Sequence, residues 1–144
     1  SQIVEMFGMK PVIAMLSYTN FGSSRHPNAA KVTEAVAYLH RYYPDLVLDG
    51  PLQSDFALNR EMLEEKFPFS EIAKKNVNTL IFPNLESANI TYKLMKELNK
   101  NQSVGPILLG LKEPIHILQL GASVDEIVNM AAVAVIDAQQ KQKK

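Results

Sequence analysis

A short apolar run, cut off by a proline and followed at once by a helical pattern, constrains this chain more than any other feature. Residues 79–82 (TLIF) read as a β-strand, Pro83 ends it, and residues 84–87 turn the chain. Ile90, Leu94 and Leu98 then recur at four-residue spacing, the mark of one helix face. Asn89, Tyr92 and Lys93 fall in what reads as the first turn of that helix. In an open α/β sheet, small ligands sit where the carboxyl end of a strand gives way to a helix. The N–H groups of a helix start favour an anionic group there.

A second unit of this kind lies upstream. Residues 11–17 (PVIAMLS) are continuously apolar, the pattern of a strand buried on both faces. They run into residues 18–27 (YTNFGSSRHP), a loop dense in Asn, Gly, Ser and Pro. Pro27 and Asn28 open a helix with an apolar stripe of Val32, Ala35, Val36, Leu39 and Tyr43. Hydroxyls, amides and a glycine in such a loop suit phosphate or carbonyl contacts, and they equally suit helix capping in an ordinary turn. The loop has neither the glycine spacing of a P-loop nor that of a dinucleotide fold.

Pro44 breaks the helix, and residues 46–48 read as a short strand ending in an Asp49-Gly50-Pro51 turn. Residues 53–66 read as a helix interrupted near Leu58 and Asn59, and residues 67–72 as irregular. Residues 103–111 (SVGPILLGL) and 114–120 (PIHILQL) read as two further strands. Ser123 and Glu126 form an S-x-x-E capping box that opens a final helix, with Val124, Ile127, Val128, Ala131 and Val135 as its apolar stripe. Strands alternating with helices imply an α/β fold of three layers, a mostly parallel sheet flanked by helices.

With 144 residues, 47% of them hydrophobic, the chain is long enough for one packed domain. A formal net charge of zero excludes a broad nucleic-acid-binding face, and the basic tail at residues 140–144 reads as a solvated end. Without cysteine there is neither a disulfide framework nor a thiolate site. No apolar run approaches the roughly 20 residues that span a bilayer, and residues 1–10 lack a signal-peptide pattern. A soluble, cytoplasmic protein without a membrane partner is the expectation. Asp49 and Asp55 have no histidine at ligand spacing. They are expected as a turn residue and a helix cap, with no metal site. His116, inside an apolar segment, reads as a satisfied structural group with no carboxylate near it in sequence. Residues 1–9 read as the end of a helix closed by Gly8, the pattern of a fragment of a longer protein.

Several motifs carry a resemblance. FPNLESANITYKL (residues 82–94) resembles the FP-[DN]-L-x-x-[AG]-N-I-x-Y-K-L segment of the phosphate acetyl/butyryltransferase family. LVLDGPLQSD (46–55) and VGPILLGLKEPIHIL (104–118) resemble two further segments of that family. Closer still is the C-terminal, acyltransferase-like domain of the large bacterial NADP-dependent malic enzymes, to which SYTNFGS (17–23), FPFSEI, EPIHIL and IVNMAAVAV are similar. The resemblance covers residues 10–139 and implies a phosphotransacetylase-like fold of the isocitrate/isopropylmalate dehydrogenase kind. It corresponds to the second of that unit's two subdomains plus the last helix.

The resemblance implies an acetyl-CoA site made of Ser17, Thr19, Asn20, Phe21, Gly22, Ser23, Arg25, Asn89, Tyr92, Lys93, Gly121 and Ser123. It also implies a loss. Where active transacetylases carry Leu-Ser-Arg-Gly, with catalytic serine and phosphate-binding arginine, this chain has Leu118-Gln119-Leu120-Gly121. The family's acidic residue falls on Glu126, which the capping box already explains. Gln119, Leu120 and Glu126 are thus degenerate catalytic positions, since leucine cannot pair with phosphate.

The implied role is a non-catalytic regulatory and oligomerisation domain that senses acetyl-CoA, with no cofactor of its own. NADP and a divalent metal would belong to malic-enzyme catalytic domains of the same chain. A homodimer or a multiple of dimers is the expected assembly. An active phosphate acetyltransferase, with Arg25 as replacement cation, and a ligand-free dimer scaffold are the alternatives.

Overall fold

The computed structural model describes residues 2–98 and 103–142, so Ser1, Lys143 and Lys144 of the expected helix end and basic tail lie outside the described residues. The chain comprises two compact units, Ser1–Thr91 and Tyr92–Lys144.

The first unit opens with α1 (Gln2–Met6), closed at Gly8, whose φ of 74° and N–H bond to the Glu5 carbonyl end the helix as its sequence predicts. Three strands follow among the described residues: β1 (Ile13–Leu16), β2 (Leu48–Leu52) and β3 (Thr79–Ile81). They form one parallel sheet in the order β2-β1-β3. Between β1 and β2 runs α2 (Pro27–Tyr42), and after β2 come α3 (Ser54–Leu58) and α4 (Arg60–Lys66).

Alternation along β1 puts helices on both faces. Ile13 and Met15 pack with Val36 and Leu39 of α2. Ala14 and Leu16 pack with Ala57 of α3, Leu63 of α4 and the buried pair Ile72 and Ala73. A central strand covered on both sides has no face for polar residues, which is why its sequence shows no polar alternation. The predicted stripe of α2 is buried at Val32 and Val36, joined by Ala29, while Tyr43 is an exposed C-cap.

Residues 49–51 correct the sequence reading. Asp49-Gly50-Pro51 is not a turn: it is the middle of β2, with a cis Gly50-Pro51 bond. Register advances by one extra residue here, since Ala14 faces Asp49 while Leu16 faces Leu52. The bulge turns Leu52 toward the α3/α4 face although Leu48 packs on the α2 face. Asp49 is buried. Its carboxylate accepts hydrogen bonds from the Gly50 N–H at 2.8 Å, the Ser70 hydroxyl at 2.7 Å and the Glu71 N–H at 3.0 Å. It fastens the irregular stretch after α4 to the sheet. Nor does Asp55 cap a helix: Gln53 is the N-cap of α3 and makes no side-chain cap bond.

Helix α5 (Leu85–Leu98) follows β3 and crosses the division between the units. Its expected stripe of Ile90, Leu94 and Leu98 is exposed, and none of its residues is buried. In the second unit, residues 103–120 hold no strand, against the two that their apolar runs predict. Pro106 and Pro114 offer no N–H, and Gly105 and Gly110 stand at φ 132° and 81°. An apolar run becomes a strand only where a neighbour accepts its N–H and C=O groups, and no sequence pattern supplies the neighbour. The last helix, α6 (Val124–Lys141), extends into the predicted tail. It buries Met130 and Val133, while Val124, Ile127, Val128 and Val135 of the predicted stripe are exposed.

Gly50 gives the sheet its most demanding contact. A Cβ there would stand 2.5 Å from the Met15 carbonyl oxygen, at a φ of 149° that L side chains rarely adopt. Gly50→Ala is expected to cost about 2–4 kcal/mol of stability, from overpacking and backbone strain together. Urea unfolding of the two proteins side by side measures it.

Candidate functional site

The predicted site residues fall into two groups. In the first unit, residues 17–25 leave the carboxyl end of the central strand and are fixed by the end of β2. The Ser17 N–H donates to the Leu52 carbonyl at 2.8 Å, and the Phe21 N–H to the Pro51 carbonyl at 2.8 Å. Asn20 locks the loop by a reciprocal pair: its Oδ1 accepts the Gln53 N–H, and its Nδ2 donates to Gln53 Oε1, each at 2.7 Å. Gln53 Nε2 in turn donates to the Tyr18 carbonyl at 2.9 Å. Each amide thus satisfies the other, and the loop is built before any ligand arrives.

Phe21 adopts φ 41°, a left-handed value uncommon outside glycine, and is followed by Gly22 at φ 78°. Its ring, 4.9 Å from that of Phe67 and 4.8 Å from that of Phe69, anchors the bend. Thr19 is buried with its hydroxyl bonded to that of Ser23. Arg25 is exposed and makes no ion pair among the described residues, which leaves its guanidinium available to an anion. The side chains of Thr19, Asn20 and Phe21 are committed to the loop itself.

Asn89, Tyr92 and Lys93 do not occupy the first turn of their helix. α5 begins at Leu85, and Asn84 Oδ1 accepts the Ser87 N–H at 2.8 Å, so the three lie beyond the turn that would face an anion. Asn89 is exposed. The Tyr92 hydroxyl reaches the Gly105 carbonyl at 3.5 Å, and Lys93 Nζ lies 5.3 Å from the centre of the Tyr92 ring.

In the second unit Gln119, Leu120 and Gly121 form the approach to α6. Gly121 has φ 83°, and the Leu120 side chain stands wholly in solvent. The predicted capping box is complete: the Glu126 N–H donates to Ser123 Oγ at 3.2 Å, and the Ser123 N–H to Glu126 Oε2 at 2.8 Å. Glu126 Oε1 accepts Lys96 Nζ at 2.9 Å, tying α5 to α6. Beside this pair is a cavity of about 20 Å³, room for one water-sized group, lined by Ser103, Gly105, Ile117, Leu118, Gln119, Ala122, Glu126 and Met130. His116 has a buried side chain with no hydrogen bond to either ring nitrogen among the described residues, and it lies 3.5 Å from Asp137 Oδ2, a carboxylate its sequence neighbourhood does not announce.

Two residues of consequence are absent from the sequence-based set. Gln53 sits inside a quoted motif, and only the amide pair with Asn20 gives it a role. Lys96 carries no motif signal, because its partner lies 30 residues away. Among the described residues no helix is long and apolar enough to cross a membrane, and no group of three or more His, Cys, Asp or Glu side chains could hold a metal ion.

A parallel sheet with a pre-built polar loop at the carboxyl end of its central strand makes this an α/β domain of the phosphotransacetylase kind, and solved structures agree. A phosphotransacetylase from Streptococcus pyogenes superposes with a TM-score of 0.85 at 38% identity, over 99% of this chain and 42% of that one. The EutD phosphotransacetylase from Staphylococcus aureus gives 0.84 at 33% identity, over 97% and 42%. The chain belongs to the phosphate acetyl/butaryl transferase family, which it matches over residues 1–135. It is 39% identical to the NADP-dependent malic enzyme of Escherichia coli (strain K12), over 96% of this chain and 18% of the enzyme. It is also 39% identical to the phosphate acetyltransferase of Clostridium acetobutylicum, over 94% of this chain and 40% of that protein. The chain spans less than half the length of these relatives.

The bond from Lys96, then those of the Ser123 backbone and side chain, hold the Glu126 carboxyl down at about 2, against an ordinary 4.5. A lowered carboxyl contributes stability that is present above pH 4.5 and is lost as pH falls toward 2. Lys96→Met is expected to move the Glu126 midpoint up toward 4.5, read by NMR of its side-chain carbon through an acid titration.

Proposed function

We propose that these residues form a non-catalytic acetyl-CoA-sensing and oligomerisation domain of an NADP-dependent malic enzyme, whose catalytic domains convert malate to pyruvate and CO2. The observation that carries this reading is Leu120. The family resemblance places a phosphate-binding arginine at this position, and here a leucine stands in solvent beside Gln119. At this position an acetyl phosphate would find no guanidinium to neutralise it. Glu126, at the family's acidic position, is engaged in a helix cap and an ion pair and held fully ionised at neutral pH. A carboxylate so held is a poor proton carrier near pH 7.

The binding scaffold supports a retained ligand. A loop whose own amides and hydroxyls are satisfied internally is rigid before binding, and Arg25 projects from it as a cation for the phosphates of CoA. The exposed apolar residues of α5 and α6 support assembly with a second copy. Sensing requires that acetyl-CoA bind two assembly states with different affinity, because a ligand that binds both equally shifts nothing. NADP and a divalent metal would be held by the catalytic domains of the same chain.

A second reading, a working phosphate acetyltransferase, is favoured by one observation: identity to such enzymes equals identity to malic enzyme, at 39%. Two assays separate the readings. Calorimetric titration of acetyl-CoA into the intact protein is expected to show saturable binding, weakened about tenfold by Asn20→Ala, which removes the lock on the loop. Incubation of the same protein with acetyl-CoA and inorganic phosphate is expected to yield no acetyl phosphate. Measurable product that disappears in Arg25→Ala would establish the transferase instead.

A further inference from the structure

The segment that precedes α6 is turned inside out around His116. Ile115 and Ile117 stand exposed, while the imidazole between them keeps only 4% of its side-chain surface in solvent. Neither ring nitrogen has a hydrogen-bond partner among the described residues. Packing alone would put the isoleucines inside, since an unpartnered buried polar group raises the free energy of the fold.

Helix α6 meets this ring with a charge. Met130 and Val133 are its buried residues, and Asp137 follows Val133 by four positions, on the same face. Asp137 Oδ2 stands 3.5 Å from His116 Nε2, longer than an ordinary hydrogen bond, and 3.0 Å from Lys141 Nζ one turn further on. The other charged side chains of the unit are turned to solvent or engaged. Lys112 and Glu113 on the segment, Glu97 on α5 and Asp125 on α6 are exposed. Lys96 pairs with Glu126, and Lys93 lies over the Tyr92 ring. Among the described residues, Asp137 is the acidic group within ion-pair reach of His116.

We propose that His116 and Asp137 form a proton-operated latch within the second unit, with Lys141 as the counter-ion that Asp137 keeps while the latch is open. A neutral ring leaves the carboxylate to Lys141. A proton on the imidazole makes Nε2 a charged donor, and the 3.5 Å gap closes to a charge-assisted hydrogen bond that joins residues 114–118 to the last turns of α6. Lys141, partly exposed near the helix end, is released to water. Burial opposes the charged ring, and the facing carboxylate offsets this by giving Nε2 a partner. An imidazole changes charge between about pH 5 and 8. The bond is therefore present at the acid end of that range and lost as pH rises through it, the sign for a histidine that gains a partner on protonation. The latch stands apart from the acetyl-CoA reading, because none of its three residues belongs to the predicted ligand set.

The test is hydrogen exchange of the intact protein at about pH 5.5 and about pH 8, with the protection of residues 133–141 corrected for the intrinsic exchange rate at each pH. Protection is expected to be about tenfold greater at the acid pH, the scale of one charge-assisted hydrogen bond. His116→Asn and Asp137→Asn are each expected to remove the difference. Lys141→Gln takes away only the counter-ion and is expected to keep it. NMR of isotope-labelled histidine in the wild type needs no variant to fold. The His116 ring is expected to be charged at the acid pH, with a slowly exchanging Nε2–H, and neutral at the alkaline one.

Equal protection at the two pH values in the wild type would overturn the latch. So would a difference that survives in His116→Asn or Asp137→Asn, or a His116 ring that holds one charge state throughout. Loss of the difference in Lys141→Gln would overturn the assignment to the His116–Asp137 pair.

Discussion

The backbone of β2 passes so close to the Met15 carbonyl at Gly50 that no side chain fits between them, and much of the first unit depends on that approach. It lets β2 pair with β1 on both sides of a one-residue bulge, with Ala14 opposite Asp49 and Leu16 opposite Leu52. Asp49 is thereby set inward, where it collects the Ser70 hydroxyl and the Glu71 N–H and holds the loop behind α4. Leu52 is turned to the face where Ala57 and Leu63 close the core. The end of β2 then presents the Leu52 and Pro51 carbonyls to Ser17 and Phe21, and Gln53 to Asn20. The polar loop of the candidate site is an extension of this pairing.

The two parts of the candidate site show opposite economies. In the loop of residues 17–25, polar groups are spent on the loop's own shape, which leaves Arg25 and backbone groups for a ligand. At the start of α6, by contrast, the polar groups close a helix cap rather than a loop. Gln119 and Leu120 lead into the helix, and Glu126 is drawn into its cap.

How far the chain can be read in advance differs from element to element. The buried strand at Ile13–Leu16, the opening of α2 at Pro27, the interruption between α3 and α4 and the capping box of α6 all follow from local chemistry. Each depends on residues within a few positions of one another: an apolar run, a proline at a helix start, an asparagine cap at Asn59, a Ser-x-x-Glu pair. The strands expected in residues 103–120 do not form, because a strand is defined by its partner and no local pattern names one. Asp49-Gly50 reads as a turn for the same reason, since only the proximity of Met15 makes a glycine with an extended left-handed φ necessary there.

Sequence alone determined the α/β class, the alternation of strand, polar loop and helix, and membership of the phosphate acetyl/butaryl transferase family. These are properties of residue type and of spacings shorter than a helix. Tertiary structure alone decided the sheet order, the bulge that sets Leu52, the Asn20–Gln53 lock across 33 residues and the Lys96–Glu126 pair across 30. It also decided which apolar stripes are covered, burying Val36 on α2 and leaving Ile90 on α5 in solvent. Such contacts join segments far apart in the chain, and hydrogen bonding and burial are settled by what lies opposite a residue rather than beside it.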